Sequence, residues 1–154
     1  MTPTRADDSD VEIVDAPDEE ATREAGRRLG ASLGPGAFVG LDGTLGAGKT
    51  TFVQGLAIGL GVPPSVRVNS PTYAYVNEYR QGRLRLIHMD LYRLETLDDL
   101  EAIGYREMYE SEGVCVVEWA GRIPEALPSN RIDVRFEQAP AGTGRRLFIR
   151  RLAR

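Results

Sequence analysis

The chain has 154 residues, 42% of them hydrophobic, and a formal net charge of −4. That length suits one compact domain with a proper core and leaves no room for a second large one. The acidic balance excludes a bulk electrostatic drive toward nucleic acid or membrane, and a single cysteine excludes an internal disulfide framework and suits a reducing cytosol. No run approaches the roughly 18 apolar residues of a membrane span, and the N-terminus is acidic where a secretory signal is basic. The expectation is a cytoplasmic protein without a membrane segment. With one histidine and one cysteine, any bound metal must take oxygen ligands, which favours Mg²⁺.

In chain order, residues 1–10 are polar and acidic and read as a disordered N-terminus, leaving 11–154 as a single domain. Val11 to Val14 suits a short edge strand. Asp18 can cap a helix running to about Leu33, with Ala21, Ala25 and Leu29 inward and Gly34-Pro35-Gly36 ending it. Gly36 to Asp42 reads as a short, mostly apolar strand. It leads into Gly43-Thr44-Leu45-Gly46-Ala47-Gly48-Lys49-Thr50, which fits the phosphate-binding pattern G-x-x-x-x-G-K-[ST]. Lys49 is the only lysine among nineteen basic residues. A compact ammonium fits between two phosphates where a planar guanidinium does not. Phe52, Val53, Leu56, Ala57 and Leu60 then fall on one helical face, and Gly59 and Gly61 mark the stop. Strand, glycine loop and helix thus follow in the order that aims backbone N–H groups and a helix N-terminus at phosphate, with the Thr50 hydroxyl offered to Mg²⁺.

Further along, Tyr73 to Tyr79 and Arg83 to Leu91 read as an antiparallel hairpin around Gln81-Gly82. Leu84, Leu86, His88 and Asp90 share one face of its second strand. Leu94, Leu97, Leu100 and Ile103 recur every third residue and suggest a helix ended by Gly104. Val114 to Val117 is a continuous apolar run, as in a strand buried on both faces, and it ends at Glu118-Trp119. Cys115 within it reads as a small core side chain. Arg131 to Phe136 and Arg146 to Leu152 form the last two strands. The fold expected is α/β, a P-loop NTPase-like three-layer sandwich with a mostly parallel central sheet and an antiparallel hairpin.

Four side chains beyond the loop are candidates for chemistry. Glu118 stands at a strand C-terminal end, where open α/β sheets bind ligands, and is the favoured direct metal ligand. Asp90 lies near another strand end and can position water or accept from the metal shell, or else cap the following turn. Thr72, in a proline-stiffened loop, can sense a γ-phosphate or simply form a turn. His88 ranks second, since a partly buried histidine satisfied by a carboxylate is the commoner case. Residues 131–154 carry seven arginines against two acids, and residues 1–24 nine acids against two arginines. Either the arginines line an edge strand beside a solvated acidic tail, or they meet phosphate of nucleotide or RNA.

Taken together, GTLGAGKTT (43–51), SPTY (70–73), HMDLYRL (88–94) and EW (118–119) resemble the TsaE (YjeE) family in order and spacing, from about residue 17 to the last strand. The resemblance implies a P-loop ATPase that binds Mg·ATP, hydrolyses it weakly alone, and is required for threonylcarbamoyladenosine modification of tRNA. It works there with the TsaB and TsaD subunits and meets tRNA only through that complex. By position, Leu45, Gly46, Ala47, Gly48, Lys49, Thr50 and Thr51 would cradle the phosphates. Thr50 and Glu118 would coordinate Mg²⁺, and Asp90 and Thr72 match the acid and threonine of the family's motifs. Glu19 matches a segment near the nucleotide base, and Arg145 a late nucleotide-contacting arginine. Thr44 departs from the usual Asp or Glu after the first loop glycine, which leaves any carboxylate role there in doubt. A small-molecule kinase, the competing reading, would find little room for both an acceptor insert and a lid between Gly61 and Leu91. A GTPase of the familiar type needs an N-K-x-D segment that a chain with Lys49 as its sole lysine lacks. A subunit in which bound ATP only holds an assembly together stays open.

Overall fold

The computed structural model describes residues 11–44, 48–140 and 142–153. The N-terminal stretch 1–10, expected to be disordered, lies outside the described residues.

Seven strands form one sheet in the order β1-β7-β6-β2-β5-β4-β3. Its centre, β6 (Arg131–Gln138), β2 (Phe38–Asp42), β5 (Val114–Glu118) and β4 (Leu86–Asp90), is parallel. On one side β7 (Arg145–Leu152) and β1 (Val11–Ala16) add antiparallel, and on the other β3 (Val76–Tyr79) pairs antiparallel with β4 as the predicted hairpin. Every residue of β4 and β5 is buried, as expected of strands covered on both faces.

Alternation along these strands divides two cores. Leu86, Val114, Val116, Val39 and Leu41 pack under helices α1 (Glu19–Ser32) and α2 (Lys49–Gly59). Ile87, Met89, Cys115, Val117 and Phe38 pack under α3 (Leu97–Ala102), α4 (Tyr105–Tyr109) and two 3₁₀ turns at Ala120–Arg122 and Pro124–Ala126. The result is the three-layer sandwich expected from sequence.

Helix α1 starts where predicted: the Asp18 carboxylate accepts the Ala21 N–H at 2.8 Å, and Glu19 and Glu20 stand in the first turn, where a helix dipole favours acids. Against it lies α2, whose Phe52, Val53 and Leu56, with Leu60 at its C-cap, are fully buried, each contributing about 1.5–3 kcal/mol. The two helices touch backbone to backbone. A Cβ on Gly26 would collide with the Phe52 carbonyl oxygen, and one on Gly30 with that of Leu56. On the partner helix, Gly55 meets the Arg23 carbonyl and Gly59 that of Arg27. Gly59, expected only as a helix stop, is therefore also half of this interlock.

Two other expectations need correction. The helix predicted from Leu94 begins only at Leu97, because Thr96 forms a capping box with Asp99, and Leu94 packs from the preceding turn. Gly104 ends that helix as expected, just past its cap at Ile103, and in the left-handed region at φ 74° it also redirects the chain into α4. The arginine-rich last strand is not an edge. β1 covers it, and Arg146 pairs with Asp15 at 2.7 Å while Arg151 approaches Glu12 at 3.8 Å. Acidic and basic ends of the chain thus meet as neighbouring strands.

Candidate nucleotide site

At the C-terminal ends of β2, β5 and β4 lies a cleft of about 610 Å³. Gly48, Lys49, Thr50 and Thr51 border it from the N-terminus of α2, Glu118 and Trp119 from the end of β5, and Asp90 and Tyr92 from the end of β4. Ser70 and Thr72 also line it, as do Pro17, Asp18, Glu19, Thr22 and Arg145. Eight of the expected residues, including Glu19 and Arg145 from elements remote in sequence, therefore line one cleft with Gly48. Leu45, Gly46 and Ala47 lie outside the described residues.

Gly48 caps α2 at φ 96°, a conformation that favours glycine. The first-turn amides of α2 are without partners in the preceding turn and stand at the positive end of the helix dipole, an anion site by construction. The Lys49 ammonium spans the mouth of the loop, donating to the carbonyls of Gly43 at 3.0 Å and Thr44 at 2.9 Å. It also lies 4.1 Å from the centroid of the Trp119 ring. Burial pushes its pKa below the ordinary lysine value, opposed by the fields of Glu118, Asp42 and Asp90.

The Thr50 hydroxyl donates to Glu118, at 3.1 Å from Oε2 and 3.3 Å from Oε1. Behind it the fully buried His88 sets Nε2 2.6 Å from Glu118 Oε2. With Glu118 as carboxylate, Nε2 is the donor, which fixes the tautomer. The expectation of a histidine satisfied by a carboxylate holds, and the carboxylate comes from the neighbouring strand, where His88 registers with Val116. Asp90 accepts the hydroxyls of Ser70 at 2.8 Å and Thr72 at 3.0 Å on Oδ2 and the Tyr92 N–H at 2.8 Å on Oδ1. It thus caps the turn after β4 and anchors the 70–72 segment at once.

Sequence reasoning missed two features. Ser70 was read only as part of a motif, although its place two residues before Thr72 is the spacing that lets both hydroxyls reach one carboxylate. Asp42, at the end of β2, accepts the Gly121 N–H at 2.9 Å, and burial raises its pKa, with Asp133 adding to the shift. Trp119 packs its ring against that of Tyr92 with centroids 5.1 Å apart, and its backbone lies in the left-handed region at φ 62°.

Thr50 and Glu118 present a hydroxyl and a carboxylate converging at the cleft, hard oxygen donors of the kind Mg²⁺ takes. A parallel sheet whose β2 runs through a glycine-lysine loop into a helix N-terminus, with carboxylates on adjacent strand ends, defines a P-loop nucleotide-binding α/β protein. The profile of the family described as threonylcarbamoyl adenosine biosynthesis protein TsaE matches residues 16–147. The chain belongs to the TsaE family. It is 44% identical over 120 residues to the tRNA threonylcarbamoyladenosine biosynthesis protein TsaE of Bacillus subtilis (strain 168), covering 78% of this chain and 73% of that one. Its counterpart in Streptomyces coelicolor is 41% identical over 124 residues, 79% of this chain and 82% of that one. Among solved structures, the crystal structure of Bacillus subtilis YdiB superposes with a TM-score of 0.80 at 33% identity, covering 93% of this chain and 86% of that one.

Proposed function

We propose that this chain is an Mg-dependent ATPase of the cytoplasm that serves threonylcarbamoyladenosine modification of tRNA together with the TsaB and TsaD subunits. In this reading it is one P-loop domain from residue 11 to 154. The observation that carries the reading is the convergence of Lys49, Thr50, Glu118 and Asp90, from three separate elements, on one cleft at the N-terminus of α2.

In this reading the α2 amides and the Lys49 ammonium hold the phosphates. The partly desolvated ammonium stabilises charge developing on the transferring phosphoryl group more strongly than an exposed one would. Thr50 and Glu118 would hold Mg²⁺, which when bound neutralises charge on the β- and γ-phosphate oxygens. His88 keeps Glu118 turned toward Thr50. Asp90 orients water through the hydroxyls it gathers, with Thr72 facing the γ-phosphate. Glu19 and Arg145, which also line the cleft, would lie near the base. Hydrolysis is slow alone and rises with the partners.

The test is steady-state ATP hydrolysis by the protein alone and with TsaB and TsaD, with Lys49→Ala as control, beside the modified-nucleoside content of tRNA in cells carrying each version. Partner-stimulated turnover that Lys49→Ala abolishes, with loss of the modification, is the expected result. Turnover indifferent to the partners would sink the assignment and send attention to a phosphate acceptor.

A further inference from the structure

Among the described residues, three large apolar side chains stand exposed, and two of them, Tyr73 at 81% and Tyr92 at 39%, flank the nucleotide cleft. Both are fastened to one carboxylate. Asp90 takes the hydroxyl of Thr72, the residue before Tyr73, on one oxygen and the N–H of Tyr92 on the other. Its own N–H donates to the Tyr75 carbonyl at 3.0 Å, and Tyr75 sits in the left-handed region at φ 69°, so the 71–75 turn is held by its tie to β4.

Each tyrosine ring carries a guanidinium. Arg93 lies 4.9 Å from the Tyr73 centroid, and Arg122 lies 5.6 Å from that of Tyr92. Arg122 is held there by donating to the Leu94 carbonyl at 2.8 Å. Neither guanidinium has a carboxylate within ion-pair distance among the described residues, in contrast to Arg27, Arg80, Arg106, Arg135 and Arg151. Tyrosine and arginine are the residue types that carry protein interfaces, because they bring large rigid area and directed charge.

We infer that Tyr73–Arg93 and Tyr92–Arg122 form a docking strip for a partner protein presenting carboxylates, and that nucleotide in the cleft sets the position of the Tyr73 half. The inference rests on the nucleotide-site reading above. Charge decides the occupant. Two unpaired guanidiniums call for anionic groups, yet the chain runs from Arg93 straight into Glu95, Asp98 and Asp99 on a molecule of net charge −4. A nucleic-acid backbone would meet those acids, whereas a protein can place single carboxylates opposite each fork. Coupling follows from the shared anchor. A Thr72 hydroxyl that turns to a phosphate oxygen leaves Asp90, and Tyr73 moves with it.

The experiment uses the intact protein and the TsaB–TsaD pair as the acidic-surface probe. Affinity is measured by titration calorimetry with a non-hydrolysable ATP analogue and without it, for wild type, Tyr73→Ala, Arg93→Glu and Arg93→Lys. Nucleotide affinity, basal turnover and melting temperature should stay at wild-type values in all three variants. Pair affinity should fall roughly 30-fold in Tyr73→Ala and Arg93→Glu and less in Arg93→Lys, the size of an interface hot spot. The effect of nucleotide on pair affinity should vanish in Tyr73→Ala. Variants that bind the pair as wild type does overturn the docking strip while leaving the functional proposal intact. A wild type that does not bind the pair overturns the functional proposal and the strip with it. Retained pair binding with loss of tRNA binding overturns the protein partner in favour of RNA.

Discussion

Strands β4 and β5 present opposite chemistries on their two faces, one residue apart. On the α2 side they carry Leu86, His88, Asp90, Val114, Val116 and Glu118. On the α3 side stand Ile87, Met89, Cys115 and Val117, all buried and all without charge. Both faces are equally dry, so burial does not distinguish them. What distinguishes them is the layer above. The α2 face receives a helix N-terminus with its positive end and an ammonium, which makes buried carboxylates affordable. The α3 face receives apolar and aromatic side chains, among them Leu100, Tyr105, Tyr109 and Ile123. The comparison teaches that a one-residue step along a buried strand separates chemistry from scaffold.

The sharpest way to break this division is Lys49→Ala. ATP turnover should fall by a factor on the order of 10³, the scale of losing one preorganised charge at a reacting phosphate. Because the ammonium is held at a desolvation cost, the melting temperature should not drop, and a large drop would show that Lys49 serves the scaffold as well. Next comes a matched pair on adjacent strands. Glu118→Gln should lower Mg²⁺-dependent turnover about 10²-fold with nucleotide affinity nearly kept, while Ile87→Ala should cost about 2–5 kcal/mol of stability with turnover per folded molecule unchanged. Denaturant titration beside kinetics separates the two, and equal losses of both quantities in either variant would erase the distinction.

A smaller effect is expected at the helix interlock. Gly55→Ala forces the helices apart and should cost about 1–3 kcal/mol, read as a fall in melting temperature. The smallest concerns Cys115, whose thiol burial pushes up to about 12. The folded protein keeps the thiol protonated while the unfolded chain ionises above about 8.5, so the unfolded state binds fewer protons there and stability falls as pH rises from about 8.5 toward 12. At pH 8 a thiol reagent should label native protein far more slowly than unfolded chain, and rapid native labelling would contradict the burial.

The loop and its helix were legible in the sequence because a phosphate cradle requires particular residues at particular spacings. So was the His88–Asp90 face, since strand alternation is a local rule. What stayed hidden is set between elements. That Glu118 is the carboxylate facing His88 depends on the β4–β5 register, and that β7 is covered depends on β1 returning to it from the other end of the chain. The late start of the helix expected from Leu94 reflects a cap at Thr96 that outweighed a three-residue apolar rhythm. The glycines of α1 and α2 were in plain view as two pairs four apart, Gly26 with Gly30 and Gly55 with Gly59, but single-helix reasoning assigns them only a cost.

Those four glycines have a consequence for how tolerance to change is distributed. α1 brings Glu19 and α2 brings Lys49 to the lining of one cleft, so the backbone contact between the helices sets their spacing there. In a survey of every single substitution, positions 26, 30, 55 and 59 should refuse all other residues as firmly as position 49 does. The refusals differ in kind: a lower growth temperature should restore the glycine variants, and nothing but a lysine should restore the other.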